Sequence, residues 1–365
     1  MSKPYEVAVY YFPQWHADPQ NEQKYGEGWS EWRGLKLAKP RFPGHQQPKT
    51  PLWGDLDEAD PAVSEKQINA AADHGITGFI YDWYWDMGSA KQGPFLHRAL
   101  EEGYLQAANM NRLNFSLMWA NHNEVTRERF EVMTDYIVEQ YFAYPNYWSV
   151  NDGLYFSIYE MHTLIRGLGG IEETKEALES FREKTKAAGF GKLHLNAVEW
   201  GLQAEHRELI GDDPNLLIRK VGIDSVTSYV WFHNEASVEF PVIPFGRVAE
   251  EAKQLWSVFR DKFAVPYYPN ATMGWDPSPR TDQTKNYTIG PYPDTVIYVD
   301  NTPAAFQKSL QQIKAFLDEG QTQPKILTIY AWNEWTEGGY LEPDTVHGMG
   351  YLEAIRNVFG HRPAE

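Results

Sequence analysis

Residues 325–339 read Lys325-Ile-Leu-Thr-Ile-Tyr-Ala-Trp-Asn-Glu-Trp-Thr-Glu-Gly-Gly339. The apolar run Ile326 to Tyr330 has the length and β-branched content of a buried strand. It leads straight into a loop carrying Glu334 and Glu337, with Trp332 and Trp335 beside them. Only Asn333 and Thr336 add further polarity, and no Lys or Arg adjoins the pair in sequence. Two acids at the end of a buried strand, among indoles, suit acid/base work on a sugar. Apolar surroundings keep one carboxyl protonated while the other stays ionised. The bland alternative is a solvated turn with two surface acids. Tryptophan beside a strand end is more often buried, which favours the first reading.

Working outward, seven other segments have the same short, Val/Ile/Tyr/Phe-rich character: 7–12, 77–82, 114–119, 154–159, 193–199, 225–229 and 265–271. With the last extending over 326–332, they make eight expected strands. Helical patterns fall between them at 64–74, 94–109, 127–141, 171–188, 246–263 and 303–319, with another at 350–359. Ser64 followed by Gln67 reads as a capping box. Thr302, Pro303 and Gly320 bracket a helix with a cap, an N1 proline and a terminal glycine. The stretch 201–220 is poorly marked. Eight strands alternating with helices predict an α/β fold, a single (β/α)₈ TIM-type barrel across residues 1–365. A doubly wound sheet is the runner-up, but no Gly-x-Gly-x-x-Gly follows the first strand. Residues 13–63 carry no clear element and form an expected long loop after strand one, over the catalytic face. Long loops are also expected at 230–245 and 272–300.

The chain has 365 residues, a formal net charge of −17 and no cysteine. That charge disfavours nucleic acid and anionic membrane surfaces as partners. Without cysteine, disulfides, thiolate metal sites and a Cys nucleophile are excluded. Met1 to Val7 lacks a basic stretch followed by an apolar run, so no signal peptide is expected, and localisation stays open between cytoplasm and exterior. Eleven His are scattered without ligand spacing, so no metal and no cofactor are expected. Asp55-Leu56-Asp57 matches the Asp-x-Asp pattern of metal-dependent glycosyltransferases but follows a loop rather than a strand.

In a barrel, polar side chains at strand C-termini read as functional. Those available are Asp82, Trp83 and Trp85 after strand two, and Trp119, Asn121 and His122 after strand three. Glu160 follows strand four and Glu199 strand five. Tyr229 ends strand six, Trp275 and Asp276 follow strand seven, and Trp332, Asn333, Glu334 and Glu337 follow strand eight. Flat aromatics stack on sugar C–H faces while Asp, Asn and His bond hydroxyls. The set has few Lys or Arg and suits phosphate poorly. Each member has a structural alternative: Trp83 and Trp85 as packing, Glu199 as a buried partner, His122 as a satisfied imidazole.

The segment Trp332-Asn333-Glu334-Trp335-Thr336-Glu337-Gly338 resembles the Asn-Glu-Trp-x-Glu-Gly signature of glycoside hydrolase family 99-like proteins, nearest to the WbsX branch often labelled as polysaccharide glycosyltransferases. Further segments fit that branch: 25–32, with Trp29 and Glu31 as candidate binding residues, 78–85, 119–121 and 274–276. The resemblance implies a (β/α)₈ barrel with its site on the loop face. It also implies a retaining α-glycoside hydrolase acting on a mannose-like or other bacterial or fungal polysaccharide. In that role Glu334 is the base on the sugar 2-hydroxyl, giving a 1,2-anhydro intermediate, and Glu337 is the general acid/base. Thr336 stands where family 99 enzymes commonly have His. The alternative is a glycosyltransferase of surface polysaccharide assembly. A catalytically silent carbohydrate-binding barrel is a third option, and Glu160 or Glu199 as an ordinary nucleophile is a variant mechanism. A carbohydrate is the expected partner.

Overall fold

A computed structural model describes residues 5–85, 93–203, 206–234 and 239–360. Its frame is a parallel sheet of strands β1 (Glu6–Tyr11), β2 (Gly78–Trp85), β3 (Asn114–Trp119), β4 (Gly153–Ile158), β5 (Lys192–Val198) and β6 (Ser225–Thr227). Strand β7 comes in two pieces, Tyr267–Tyr268 and Asn270–Thr272, and β8 is Ile326–Tyr330. Each strand pairs with the next, and β8 returns to β1 with Glu6 beside Ile326. The first piece of β7 pairs with β6 and the second with β8, which closes a (β/α)₈ barrel. The expected continuous seventh strand is thus broken at Pro269, which has no N–H for the ladder.

The barrel interior carries a polar belt. The Asn196 side chain accepts from Ser157 and Thr227 hydroxyls at 2.8 and 3.1 Å and donates to Ser225 Oγ at 2.9 Å. Tyr10 reaches across from β1 to Thr227. Leaving such buried polar atoms unpaired is costly, so the belt specifies strand register as well as filling space.

Helices cover the outside. Pro303–Asp318 is capped by Thr302, whose side chain accepts from the Ala305 N–H, and buries Phe306, Leu310, Ile313 and Leu317 on one face. Helices Arg127–Gln140, Ile171–Ala187, Phe245–Lys262 and Gly350–Phe359 fall where the apolar period puts them. Five expectations need correction. The helix expected from Ser64 starts at Pro61 under an Asp60 cap, and Ser64 is buried inside it. Residues 94–109 form a two-residue strand, Pro94–Phe95, antiparallel to β2, and then short π and 3₁₀ turns. There Gly103 presses on the preceding loop, and a Cβ would come within 2.1 Å of the Glu58 carbonyl oxygen. Helix Met161–Leu168 follows β4 unannounced, and 201–220 resolves into helices Arg207–Ile210 and Pro214–Val221. Finally, residues 13–63 are not structureless but contain helices Pro19–Tyr25 and Trp32–Leu37.

Candidate active site

The loop after β8 is built before it is functional. Asn333 exchanges two hydrogen bonds with the Phe12 backbone, accepting its N–H at 2.8 Å and donating to its carbonyl at 2.9 Å, which ties the end of β8 to the end of β1. Trp335 stacks on Tyr340 at 3.8 Å and donates to Glu342 at 2.7 Å. A 3₁₀ turn, Trp335–Glu337, then ends at Gly338 with φ 68°. That conformation and a Cβ position only 2.7 Å from the Asp276 Cβ both require glycine. A Cβ on Gly274 would meet the Gly338 carbonyl oxygen at 2.4 Å. The Gly-Trp-Asp and Asn-Glu-Trp-Thr-Glu-Gly segments therefore pack backbone against backbone.

This packing turns Glu334 and Glu337 into a cavity of about 490 Å³ at the C-terminal ends of the strands. All eight strand ends contribute to its lining: Phe12, Asp82, His122, Glu160, Trp200, Tyr229, Trp275 and the two glutamates. Its volume lies within the range of about 300–1,000 Å³ usual for small-molecule sites. Glu337 accepts hydrogen bonds from the hydroxyls of Tyr292 and Tyr330 and from the Arg280 guanidinium. Arg280 also donates to Glu334 at 3.0 Å, pairs with Glu31 at 3.5 Å and donates through Nε to Thr336 at 3.0 Å. Its guanidinium lies over the Phe12 ring, 5.2 Å from the centroid.

The electrostatics follow from burial and that cation. Burial, reinforced by the charge of Glu337, holds the Glu334 carboxyl well above its ordinary range, with Arg280 opposing. Glu31 is raised by burial against the same cation. Burial opposes the charge of Arg280, but Glu337, Tyr292, Glu334 and Glu31 hold its proton more firmly than usual. Asp82 is likewise raised, chiefly by burial, while accepting from Tyr229 at 2.7 Å. Its other oxygen is buried with no hydrogen-bond partner.

Of the side chains expected from sequence, Asp82, His122, Tyr229, Trp275, Glu334 and Glu337 line this cavity, and nine others do not. Asn121 stands behind the wall, bonded twice to the Glu160 backbone. Trp83 is buried, stacked on Trp85 and donating to Tyr141. Trp119 packs on Phe130, and Trp332 is fully buried. The indoles of the β8 loop thus hold the loop rather than face a sugar. Asp276 is turned away onto His45, Gln47 and Ser278. Trp29 stacks on Tyr25, and Glu31 reaches the site only through Arg280. Glu199 is buried with its oxygens held by Asn234 and Gln203, outside the cavity, whereas Glu160 lines it. Among the described residues no three His, Asp or Glu side chains gather as metal ligands. Asp55 pairs with Lys36 and Asp57 closes a turn onto the Ala59 N–H.

Arg280 is the group that sequence reading missed. No Lys or Arg adjoins the glutamate pair in sequence, yet Arg280 bonds both in the fold. It arrives from the 272–300 loop, far away in the chain, and no local pattern marks it. Tyr330 was visible only as the last residue of a strand; its ring crosses Gly339, where a Cβ would sit 2.2 Å from the ring.

The comparisons with known proteins agree with this frame. Two proteins called uncharacterized protein WxcX, from two strains of Xanthomonas campestris pv. campestris, are 27% identical over 383 residues. The match covers 99% of this chain and 50% of theirs, so the chain spans about half the length of these curated relatives. Among solved structures, the family 99 endo-α-mannosidase from Bacteroides thetaiotaomicron superposes with a TM-score of 0.60 and 15% identity, over 96% of both chains. A glycoside hydrolase-like protein gives 0.63 at 12% identity, over 99% of this chain and 95% of that one. The β-glucosidase from Thermotoga maritima in complex with glucoimidazole gives 0.54 at 11%, over 100% and 99%. These likenesses are of fold. The family model Glycosyltransferase WbsX matches residues 7–355, nearly the whole chain, and the protein belongs to the WbsX family.

Proposed function

We propose that the protein is a retaining α-glycoside hydrolase acting on a mannose-like or other bacterial or fungal polysaccharide. The observation that carries this reading is the entry of Glu334 and Glu337 into one aromatic-walled cavity, both held on a single guanidinium. Glu334 takes the proton of the sugar 2-hydroxyl, and O2 displaces the glycosidic oxygen at C1. Glu337 protonates that oxygen as it leaves, giving a 1,2-anhydro sugar. Glu337 then takes a proton from water, the water oxygen opens the ring at C1, and Glu334 returns its proton to O2. A carboxylate whose pKa is raised is the stronger base toward an alcohol, and Arg280 favours its ionised form. Asp82, with one unpartnered oxygen beside Tyr229, is a group for another sugar hydroxyl.

The transferase alternative has a weaker footing. A sugar-nucleotide donor brings a diphosphate, which needs unengaged positive charge. Arg280 is the one Lys or Arg in the described cavity lining, and three carboxylates already hold it. Release of reducing ends from a panel of α-glycans, set against transfer from nucleotide sugars, tests the choice. Glu334→Gln and Glu337→Gln are each expected to lower turnover by about 10²-fold or more. The Glu337 loss is expected to be partly masked with an activated aryl glycoside, and the Glu334 loss is not. Normal turnover of a 2-deoxy substrate by the wild type would refute the 2-hydroxyl route. Turnover is expected to survive EDTA.

A further inference from the structure

The cavity has a second polar wall that this chemistry leaves unused. Glu160 leaves the end of β4 with its side chain 15% exposed and lining the cavity. Its position is fixed from behind. Asn121 accepts its backbone N–H at 2.8 Å and donates to its carbonyl at 2.7 Å. Its carboxylate accepts from Thr163 at 2.6 Å, and His122 Nδ1 lies 3.2 Å from the other oxygen. Burial opposes the charge, yet His122 and Thr163 keep the group below its usual range, hence ionised at neutral pH. Trp200 stands beside it for a definite reason. A Cβ on Gly201 would lie 2.5 Å from the Met161 nitrogen, so only glycine lets the β5 loop close on the Glu160 segment.

The result is a fixed carboxylate, an imidazole with 46% of its side chain exposed and an indole, on one wall of a cavity roomier than a single hexose ring. An ionised carboxylate accepts from adjacent sugar hydroxyls or pairs with an ammonium, and an indole receives a sugar's C–H face. It repels another carboxylate. The described lining holds Asp82, Glu160, Glu334 and Glu337 against a single Lys or Arg, Arg280, which is engaged, and the His122 imidazole is taken up by Glu160. An anionic sugar therefore meets no free cation there.

Building on the glycan-cleaving reading above, we infer that Glu160, His122 and Trp200 form a second sugar subsite, for the ring next to the one at Glu334 and Glu337, and that the cavity takes neutral or amino-sugar glycans and rejects uronic acids.

The test reads binding, in Glu337→Gln protein, so that turnover does not intrude. The protein is applied to an array of neutral, amino and uronic oligosaccharides. The best ligand and its terminal monosaccharide are then titrated by calorimetry. Hits are expected among neutral or amino glycans only. Adding Glu160→Gln, or separately Trp200→Ala, is expected to weaken the oligosaccharide by about tenfold while leaving the monosaccharide unchanged. Circular dichroism melting checks that each variant is folded, and the two substitutions stand in for each other should one fail. Uronic hits, equal losses for both ligands, no loss, or no bound glycan would each overturn the inference. A glycan bound this way by a protein that never releases reducing ends keeps the subsite and sinks the hydrolytic reading. Cleavage with unchanged binding in both added variants does the opposite.

Discussion

Arg280 settles how two acidic groups coexist in a buried space. Like charges in a low-dielectric pocket raise one another's pKa, and a shared cation offsets that cost. Each terminal nitrogen of its fork serves a different glutamate, a division that a single ammonium cannot reproduce. If Glu334 is the base it works ionised, so activity rises with pH through its titration. Removing Arg280 leaves burial and the Glu337 charge unopposed and pushes that titration upward. Arg280→Met is therefore expected to lower kcat by about tenfold or more, and to move the acid limb of the pH–rate profile to higher pH. Arg280→Lys should recover part of both. An acid limb that stays put or moves down would take the base role from Glu334. The pair itself was legible because strand and acids are contiguous in sequence. Arg280 was not, because a side chain brought in by a long loop leaves no periodic mark.

At the scale of elements, the loop after β8 works as a clasp rather than a free loop. Asn333 bonds the Phe12 backbone, and Phe12 in turn lies under the Arg280 guanidinium. Asn333→Ala removes two buried hydrogen bonds and leaves a backbone N–H and a carbonyl unpaired. It is expected to cost about 2–3 kcal/mol of stability and to lower kcat as well, read by thermal melts beside kinetics. Thr302→Ala is the contrasting case. It uncaps the helix Pro303–Asp318, away from the cavity lining, with an expected cost of about 1 kcal/mol and unchanged kinetics. A kinetic effect of Thr302→Ala equal to that of Asn333→Ala would remove the clasp's special role. Helices with a clear apolar stripe, such as 303–318, could be read from sequence because burial on one face imposes the 3.6-residue period. The 94–109 stretch misled for the opposite reason. Its apolar residues fit a helix, but the contact of Gly103 with the Glu58 carbonyl is tertiary and overrides local preference. The tryptophans misled too, since an indole's composition does not say whether its face meets a sugar or a neighbouring ring.

For the whole molecule, strand–helix alternation sufficed to give the barrel, because a parallel sheet must bury both faces and leaves a repeating apolar signature. What alternation cannot convey is the number of carboxylates the fold buries behind its catalytic face. Glu342 is the clearest case. It is 5% exposed, accepting from Gln67 at 2.8 Å and from Trp335 at 2.7 Å, just behind the Glu334–Glu337 turn. Burial, despite those donors, pushes its carboxyl from 4.5 up to about 7. Below 4.5 the folded and unfolded chains both hold the proton and this group leaves stability unchanged. Between 4.5 and about 7 the unfolded chain releases it while the folded chain keeps it. The folded state then binds more protons, so stability falls as pH rises, by about 3 kcal/mol once both forms are ionised. Surface pairs such as Asp318 with Lys314 and Lys325 act in the opposite sense, losing their contribution as pH falls, so the bare melting curve mixes the two. Glu342→Gln isolates the buried group. It carries no proton to release, so its melting temperature minus that of the wild type should climb steadily from about pH 5 to about pH 8. This holds whatever the substitution does to the Trp335 and Gln67 hydrogen bonds, because that cost does not depend on pH. A difference that stays flat or declines over the interval would mean that Glu342 is ionised in the folded protein at all these pH values, and that the clasp rests on a carboxylate rather than a protonated acid.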